Sequence, residues 1–316
     1  MSKKLSLMII CRIGFICLLL PAFLSGFGQQ PQQASTGKII RHENVASKFV
    51  EPRNIDVWLP DGYTLKKKYP VLYMHDGQML FDSTTTWNKQ EWGVDEVAGT
   101  LIKEKKIRSF IVVGVWNSGK MRHSDYFPQK PFELLPKQQQ DSIYKAVRGT
   151  NNAVFAAAIN SDGYLKFLVR ELKPFIDSAY STLTDKQNTC IAGSSMGGLI
   201  SMYAICEYPD VFGRAACLST HWPGIFTVEN NPIPEKFMQY LKKNLPDPSS
   251  HKMYFDYGSA TLDALYKPFQ LQADKIMKEK RYTSKNWVTR EFSGEDHSER
   301  AWNKRLHIPL LFLLKK

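Results

Sequence analysis

Cysteine is scarce in this chain, and what there is does not make a framework. Five cysteines occur in 316 residues. Cys11 and Cys17 lie in an apolar N-terminal run, which leaves Cys190, Cys206 and Cys217. Three thiols cannot all pair, and each stands among apolar neighbours, so they read as small buried hydrophobes. No C-x-x-C spacing and no Cys/His cluster occurs, so no metal site is expected. Internal repeats and an internal linker are missing, as is any low-complexity tract after residue 36. Repeat arrays are thereby excluded and a single domain is favoured. The charge balance is short of acid. The formal net charge is +12, and Lys3, Lys4 and Arg12 account for little of it. The basic residues are scattered over 66–68, 103–106 and 278–281, with no nucleic-acid motif beside them. Solvated helix ends and loops explain them, and no nucleic-acid partner is expected. An anionic substrate or envelope polymer is the secondary reading.

The N-terminus differs from the rest. Lys3 and Lys4 precede an apolar run over residues 5–24 that only Arg12 interrupts, and Ser25, Gly26 and Gly28 follow. A basic start, an apolar middle and a small-residue exit are the layout of a secretory signal. Residues 1–28 are therefore read as a signal peptide, 29–38 as a disordered leader and 39–316 as the functional domain. The protein is expected to be exported, periplasmic or extracellular, with no stable membrane association after cleavage. An uncleaved anchor is the alternative, but the apolar core after Arg12 is short for a membrane span. Neither Cys11 nor Cys17 follows a lipobox.

Beyond the leader, apolar runs alternate with helix-compatible stretches. Residues 39–59 alternate in polarity and read as antiparallel edge strands ended by Pro60-Asp61-Gly62. Residues 69–74 and 110–116 are nearly continuous apolar runs, as in strands covered on both faces. Further strands are expected over 189–194, 214–219, 252–257 and 287–292. Helices are expected over 92–106, from Ser161 onward, and over 196–207, 235–245, 268–280 and 300–314. Strands alternating with helices imply a mostly parallel central sheet with helices on both faces. Residues 117–160 read as one long irregular segment, and a loop of that length inside a compact domain points to a functional lid.

The chain is organised around Gly193-Ser194-Ser195-Met196-Gly197, which closes an apolar run and opens a helical pattern. This is the G-x-S-x-G spacing of a nucleophile elbow. A serine hydroxyl attacks only when a neighbouring base takes its proton. The flanking glycines let strand and helix approach with no Cβ between them. The backbone N–H of Met196 would face a developing oxyanion at the helix start. Gln78, in His75-Asp76-Gly77-Gln78 after an earlier strand, is the candidate for the second N–H. An ordinary glycine-rich turn is the plain alternative in both places.

The base and acid should follow the serine in chain order. Of His221, His251, His297 and His307, His297 lies in a polar turn just past the last strand, where the base belongs. His307 has apolar neighbours and reads as packing, whereas His221 could line the site. The acid should follow the strand over 252–257. Asp263 lies in the loop after it and Asp256 within it; Asp263 is favoured, and both stay open.

Taken together, these residues resemble the putative esterase family of the α/β-hydrolases. That group includes feruloyl esterases, S-formylglutathione hydrolases, enterochelin-type siderophore esterases and mycolyltransferases. The likeness runs from about residue 40 to the end. It rests on residues 69–78, on Val113-Gly114-Val115-Trp116-Asn117 with Arg122 and Tyr126, on residues 192–198 with 208–212, and on Gly294-Glu295-Asp296-His297 with Trp302. It implies an α/β-hydrolase fold with Ser195 as nucleophile and His297 as base. Relatives carry the acid a few residues after the glycine matched by Gly258. Thr261 occupies that place here, and Asp263 lies two residues further on.

The expected activity is exported serine carboxylic ester hydrolysis through an acyl-enzyme, without metal or organic cofactor. Asp76, Trp116, Asn117, Arg122, His221 and Trp222 are the expected substrate-lining residues. Export and the aromatics near strand ends (Trp87, Trp92, Trp116, Trp222 and Trp302) would suit a carbohydrate-linked or aromatic ester, a small molecule or an oligosaccharide, although ordinary packing is the favoured reading of such rings. A siderophore ester and acyl transfer to a sugar are related alternatives. A non-catalytic binding protein on the same fold is the alternative from another class. A cytoplasmic thioesterase is disfavoured by the leader.

Overall fold

The computed structural model describes residues 32–315; the stretch read as a signal peptide lies outside the described residues. An eight-stranded sheet carries the fold. Its first two strands, β1 (Lys38–Val45) and β2 (Arg53–Leu59), are antiparallel, and β2 pairs antiparallel with β4 (Ile111–Val115). From β4 inward every pairing is parallel: to β3 (Val71–His75), and on through three later strands to the far edge. Helix α1 (Val94–Lys103) connects β3 to β4.

Residues 117–160 are not a loop. They form α2 (Arg122–Tyr126), α3 (Gln129–Glu133), α4 (Lys137–Tyr144) and a small hairpin, β5 (Val147–Arg148) with β6 (Asn152–Ala153). Tyr126, Phe127, Phe132, Leu135, Ile143, Phe155 and Ile159 are buried in the main core. The polar Gln- and Lys-rich surface of the segment hides this apolar set in the sequence. The chain continues through α5 (Ser161–Lys166), a π-helical turn at Phe167–Leu172 and α6 (Lys173–Ala179).

The second half is a run of strand–helix units. Strand β7 (Thr189–Ser194) feeds α7 (Met196–Glu207), then come β8 (Arg214–Leu218), α8 (Ile233–Asn244), β9 (Lys252–Gly258), α9 (Lys267–Glu279) and β10 (Trp287–Phe292). The spatial order is β1-β2-β4-β3-β7-β8-β9-β10. The expected closing helix is two helices, α10 (Glu299–Arg305) and α11 (His307–Leu314). Pro309 has no N–H to return to the Arg305 carbonyl, so the chain re-enters as a new helix at that point. His307, read as packing, is exposed.

Strand residues alternate between two cores, as the two-residue side-chain period requires. Val71 and Tyr73 of β3 join the core shared with α2 to α9, while Leu72 and Met74 join the one built with α1, α10 and α11. Helix α7 is buried from Met196 to Cys206 without a polar face. It is therefore locked between sheet and insertion, and its first turn has a fixed position. The three thiols Cys190, Cys206 and Cys217 are buried and unpaired.

The leader does not stay disordered up to residue 38. The Gln32 amide is buried, and its Nε2 donates to Asp56 Oδ2 at 2.7 Å and to the Gly77 carbonyl at 2.8 Å. Its Oε1 accepts from Phe81 N at 3.2 Å. Ser35 N donates to Asp95 Oδ2 at 2.6 Å, and Trp58 Nε1 donates to the Thr36 carbonyl at 2.7 Å. Polar composition suggested disorder, but each polar group here has a partner that repays its desolvation.

Candidate active site

Ser195 sits at φ 57°, ψ −122° between β7 and α7. A non-glycine residue in that region is strained and persists only where the surroundings hold it. Here they do. Ser195 N donates to the Leu218 carbonyl at 3.0 Å, and Ser195 O accepts from Leu199 N at 3.0 Å and His221 N at 3.2 Å. A Cβ on Gly193 would lie 2.8 Å from the Gly197 carbonyl carbon. The elbow therefore closes only with glycine at that position.

The acid and base positions meet. Asp263 lies on a 3₁₀ turn, Thr261–Leu265, directly after β9, and its Oδ1 is 2.5 Å from His297 Nδ1. Asp263 Oδ2 accepts from Gly258 N and from Ser219 Oγ, each at 2.6 Å. The two loops are laced together: His297 N donates to Thr261 Oγ1 at 2.9 Å, and Ser259 N and Ala260 N both donate to the Glu295 carbonyl at 3.1 Å. Trp302 on α10 sets its ring edge-on to His297 at 5.1 Å and donates its indole N–H to Ser219 Oγ at 3.0 Å.

Asp256 faces elsewhere. Its carboxylate pairs with Arg305 at 3.1 Å and accepts from Tyr254 at 3.0 Å. Burial pushes the Asp256 carboxyl up, and the Arg305 guanidinium works against that rise. Arg305 also reaches Ser219 Oγ at 2.9 Å, so it supports the Asp263 side of the site from below.

His297 lies against Tyr266. The Tyr266 ring is edge-on to His297 at 5.8 Å, and its hydroxyl is 2.8 Å from His221 Nδ1. Among the described residues no hydrogen bond joins the His297 ring to Ser195. Nothing in the sequence flagged Tyr266, Ser219 or Arg305. The one available signal was that Tyr266 follows Asp263 by less than one helical turn.

The turn after β3 lies beside the start of α7. Asp76, at φ 57°, opens a 3₁₀ turn over Gly77–Met79, and Gly77 packs so tightly on Gly114 that a Cβ would lie 2.5 Å from its carbonyl carbon. A Cβ on Gly197 would lie 3.3 Å from His75 Cβ and 3.5 Å from Asp76 Oδ2. Arg122 grips Asp76 at both oxygens, each at 2.7 Å, and Asn117 Nδ2 donates to Asp76 Oδ1 at 2.8 Å. Burial alone would raise the Asp76 carboxyl, but Arg122 and Asn117 outweigh it and hold it below its ordinary value. Asn117 N also donates to Gln78 Oε1 at 3.2 Å. Met196 is the first residue of α7, so its N–H has no acceptor within the helix.

Three expected substrate-lining residues are placed differently. Trp222 has no exposed surface, and its indole N–H donates to Gln270 Oε1 at 3.0 Å. Trp116 is buried, donates to Asp56 Oδ2 at 2.8 Å and lies under Arg41 at 4.5 Å. His221 is buried beneath Tyr266 and does not form an open wall. Large apolar rings at strand ends fill the core more readily than they stay wet, which is why these two tryptophans went inward. Asp76, Asn117 and Arg122 do stand together at the edge of the site. Among the described residues no group of three or more His, Cys, Asp or Glu side chains is placed to hold a metal ion, and no helix is long and apolar enough to cross a membrane.

Comparison with known proteins bears on the family and the fold. The endo-1,4-beta-xylanase/feruloyl esterase of Xylanibacter ruminicola is 30% identical over 178 residues, covering 52% of this chain and 19% of that protein. The ferri-bacillibactin esterase BesA of Bacillus subtilis is 24% identical over 183 residues, covering 56% of this chain and 55% of the relative. The matches thus span less than two thirds of these relatives. A solved ferulic acid esterase from Anaeromyces mucronatus has a TM-score of 0.60 at 21% identity, over 90% of this chain and 94% of its own. Another ferulic acid esterase has a TM-score of 0.61 at 19% identity, over 88% and 98%. At such identities the likeness concerns the fold, which is that of the α/β-hydrolases. The family model described as putative esterase matches residues 46–312, and the chain belongs to that family.

Proposed function

We propose that this protein is an exported serine carboxylic ester hydrolase that works through an acyl-enzyme. The observations that carry the reading are the 2.5 Å contact of Asp263 with His297 and the strained elbow at Ser195. His297 Nε2 takes the Ser195 proton as Oγ attacks the ester carbon. Asp263 holds the imidazole through Nδ1 and offsets the charge it acquires. The N–H groups of Met196 and Gln78 receive the oxyanion, and Arg122 and Asn117 keep the Gln78 turn in place through Asp76. His297 returns the proton to the departing alcohol. It then activates a water that releases the acid and regenerates Ser195. This route asks for no metal or organic cofactor.

The substrate is a carbohydrate-linked or aromatic ester, a class supported by the feruloyl esterase relative and by the N-terminal signal pattern. A siderophore ester is the second reading. The exposed edge of the Arg122 guanidinium, with 30% of its side chain open, would suit an anionic ligand. The purified protein should hydrolyse p-nitrophenyl acetate, and Ser195→Ala should lose about 10⁴-fold or more in kcat. Equal rates from the two proteins would favour a non-catalytic binding protein. Feruloylated arabinoxylan fragments, acetylated xylan and ferric enterobactin then rank the substrates by kcat/KM.

A further inference from the structure

The Gly77 carbonyl and the Gln78 N–H belong to one peptide unit. Every peptide bond among the described residues is trans, so the carbonyl and the N–H of that unit point in opposite directions. Whatever grips the carbonyl therefore sets the aim of the N–H. The grip comes from Gln32, 45 residues upstream, whose Nε2 donates to the Gly77 carbonyl at 2.8 Å.

The Gln32 amide has one orientation open to it. Its Nε2 also donates to Asp56 Oδ2 at 2.7 Å, and its Oε1 accepts from Phe81 N at 3.2 Å. Exchanging the two atoms would set an oxygen against a carboxylate and a carbonyl, and an NH₂ against an N–H. Asp56 is held in turn. Arg41 donates to both of its oxygens at 2.8 Å, and Trp116 Nε1 donates to Oδ2 at 2.8 Å. Gln32 and Asp56 are both buried, so β2 passes its position to the Gly77 carbonyl through one dry amide.

The turn needs such a hold. Glycine on one side of the unit makes its plane easy to turn over. The first bond of the turn runs from Met79 N to the Asp76 carbonyl at 2.9 Å, so the Gln78 N–H precedes the first donor that the turn itself uses. Arg122 and Asn117 grip Asp76, one residue earlier, and leave the rotation of the Gly77–Gln78 plane to be set by other contacts.

We propose that Gln32 is a positioning residue for the oxyanion donor: by pinning the Gly77 carbonyl to Asp56, it keeps the Gln78 N–H aimed into the site. It acts through the peptide plane and not on the substrate. Its kinetic test rests on the esterase reading, whereas its structural test does not.

Other bonds hold the segment that carries Gln32. Ser35 N and Thr36 N donate to Asp95 Oδ2 at 2.6 and 3.2 Å, and Trp58 Nε1 donates to the Thr36 carbonyl at 2.7 Å. Exchanging the one side chain therefore leaves the segment in place. Gln32→Met keeps the reach and removes the amide. With p-nitrophenyl acetate, and rates taken per site titrated with an organophosphate, kcat should fall about 30-fold while KM stays within about twofold; losing an oxyanion donor outright costs roughly 100-fold or more. The smaller Gln32→Ser, which admits solvent to the three stranded groups, should lose the same way and stands in where methionine does not fold. Trp58→Phe removes a different bond to the same segment and should lower the melting temperature while kcat holds. A kcat that holds in the Gln32 variants, or falls equally in Trp58→Phe, overturns the proposal. Crystal structures decide it without catalysis. The Gly77 carbonyl should turn from its wild-type direction in the Gln32 variant, and a carbonyl that keeps that direction overturns the proposal. A wild type that cleaves no ester overturns the esterase reading alone, and the carbonyl direction still decides the role of Gln32.

Discussion

Two buried aspartates on either side of one turn show how a single residue's surroundings set its work. Asp263 accepts from Gly258, from Ser219 and from the His297 ring, so its charge is satisfied on every side. Asp256 leans on Arg305, and that arginine has Nε and Nη1 buried without partners. Replacing each tells them apart. Asp263→Asn should lower kcat about 10⁴-fold with a nearly unchanged melting temperature, because the ring loses its orienting acceptor. Asp256→Ala should instead cost about 3–5 kcal/mol of stability by stranding the Arg305 charge. Activity and melting curves on both variants check this; a large loss of activity confined to Asp256→Ala would reverse the assignment. The sequence could pose this choice but not make it. Which way an aspartate in a strand points depends on the register with its neighbour, and that is a tertiary fact. Ser195 and His297 were legible because strand, turn and helix follow each other within a dozen residues. Tyr266, Ser219 and Arg305 take their places only through contacts that no local pattern announces.

At the scale of elements, the turn after β3 hangs on a clamp from a different part of the chain. Arg122 begins α2, inside the segment whose composition read as a loop, and its two bonds to Asp76 fix the backbone that carries Gln78. Arg122→Met keeps the bulk of the stem and removes the fork. Its expected effect is a fall in kcat of about 100-fold, the scale of losing one oxyanion donor, with little change in melting temperature. An Arg122→Met enzyme that keeps full kcat would show that the turn needs no clamp. The strands and most helices were legible from runs and periods. The segment over 117–160 was not, because its aromatics are spaced out among Gln, Pro and Lys and declare a buried face only once α2 to α4 are packed.

Over the whole molecule, the buried histidines write an acid limit into the fold. Burial pushes His75 down to about 3 and His123 to about 4, from an ordinary value of 6.5. Between those values and 6.5 the unfolded chain binds protons that the folded one refuses, so stability falls as pH drops through this window. The urea midpoint should fall steadily from pH 7 to pH 4, and a His75→Asn, His123→Asn double variant should flatten that slope. A midpoint that stays level in the parent protein would show that these rings take up protons without cost. One last consequence concerns where the chain can be shortened. The Gln32 amide fills Asp56, the Gly77 carbonyl and Phe81 N at once, directly behind the turn that presents Gln78. A chain shortened past Gln32 would leave Asp56, the Gly77 carbonyl and Phe81 N without that amide, and the turn that presents Gln78 would lose its backing.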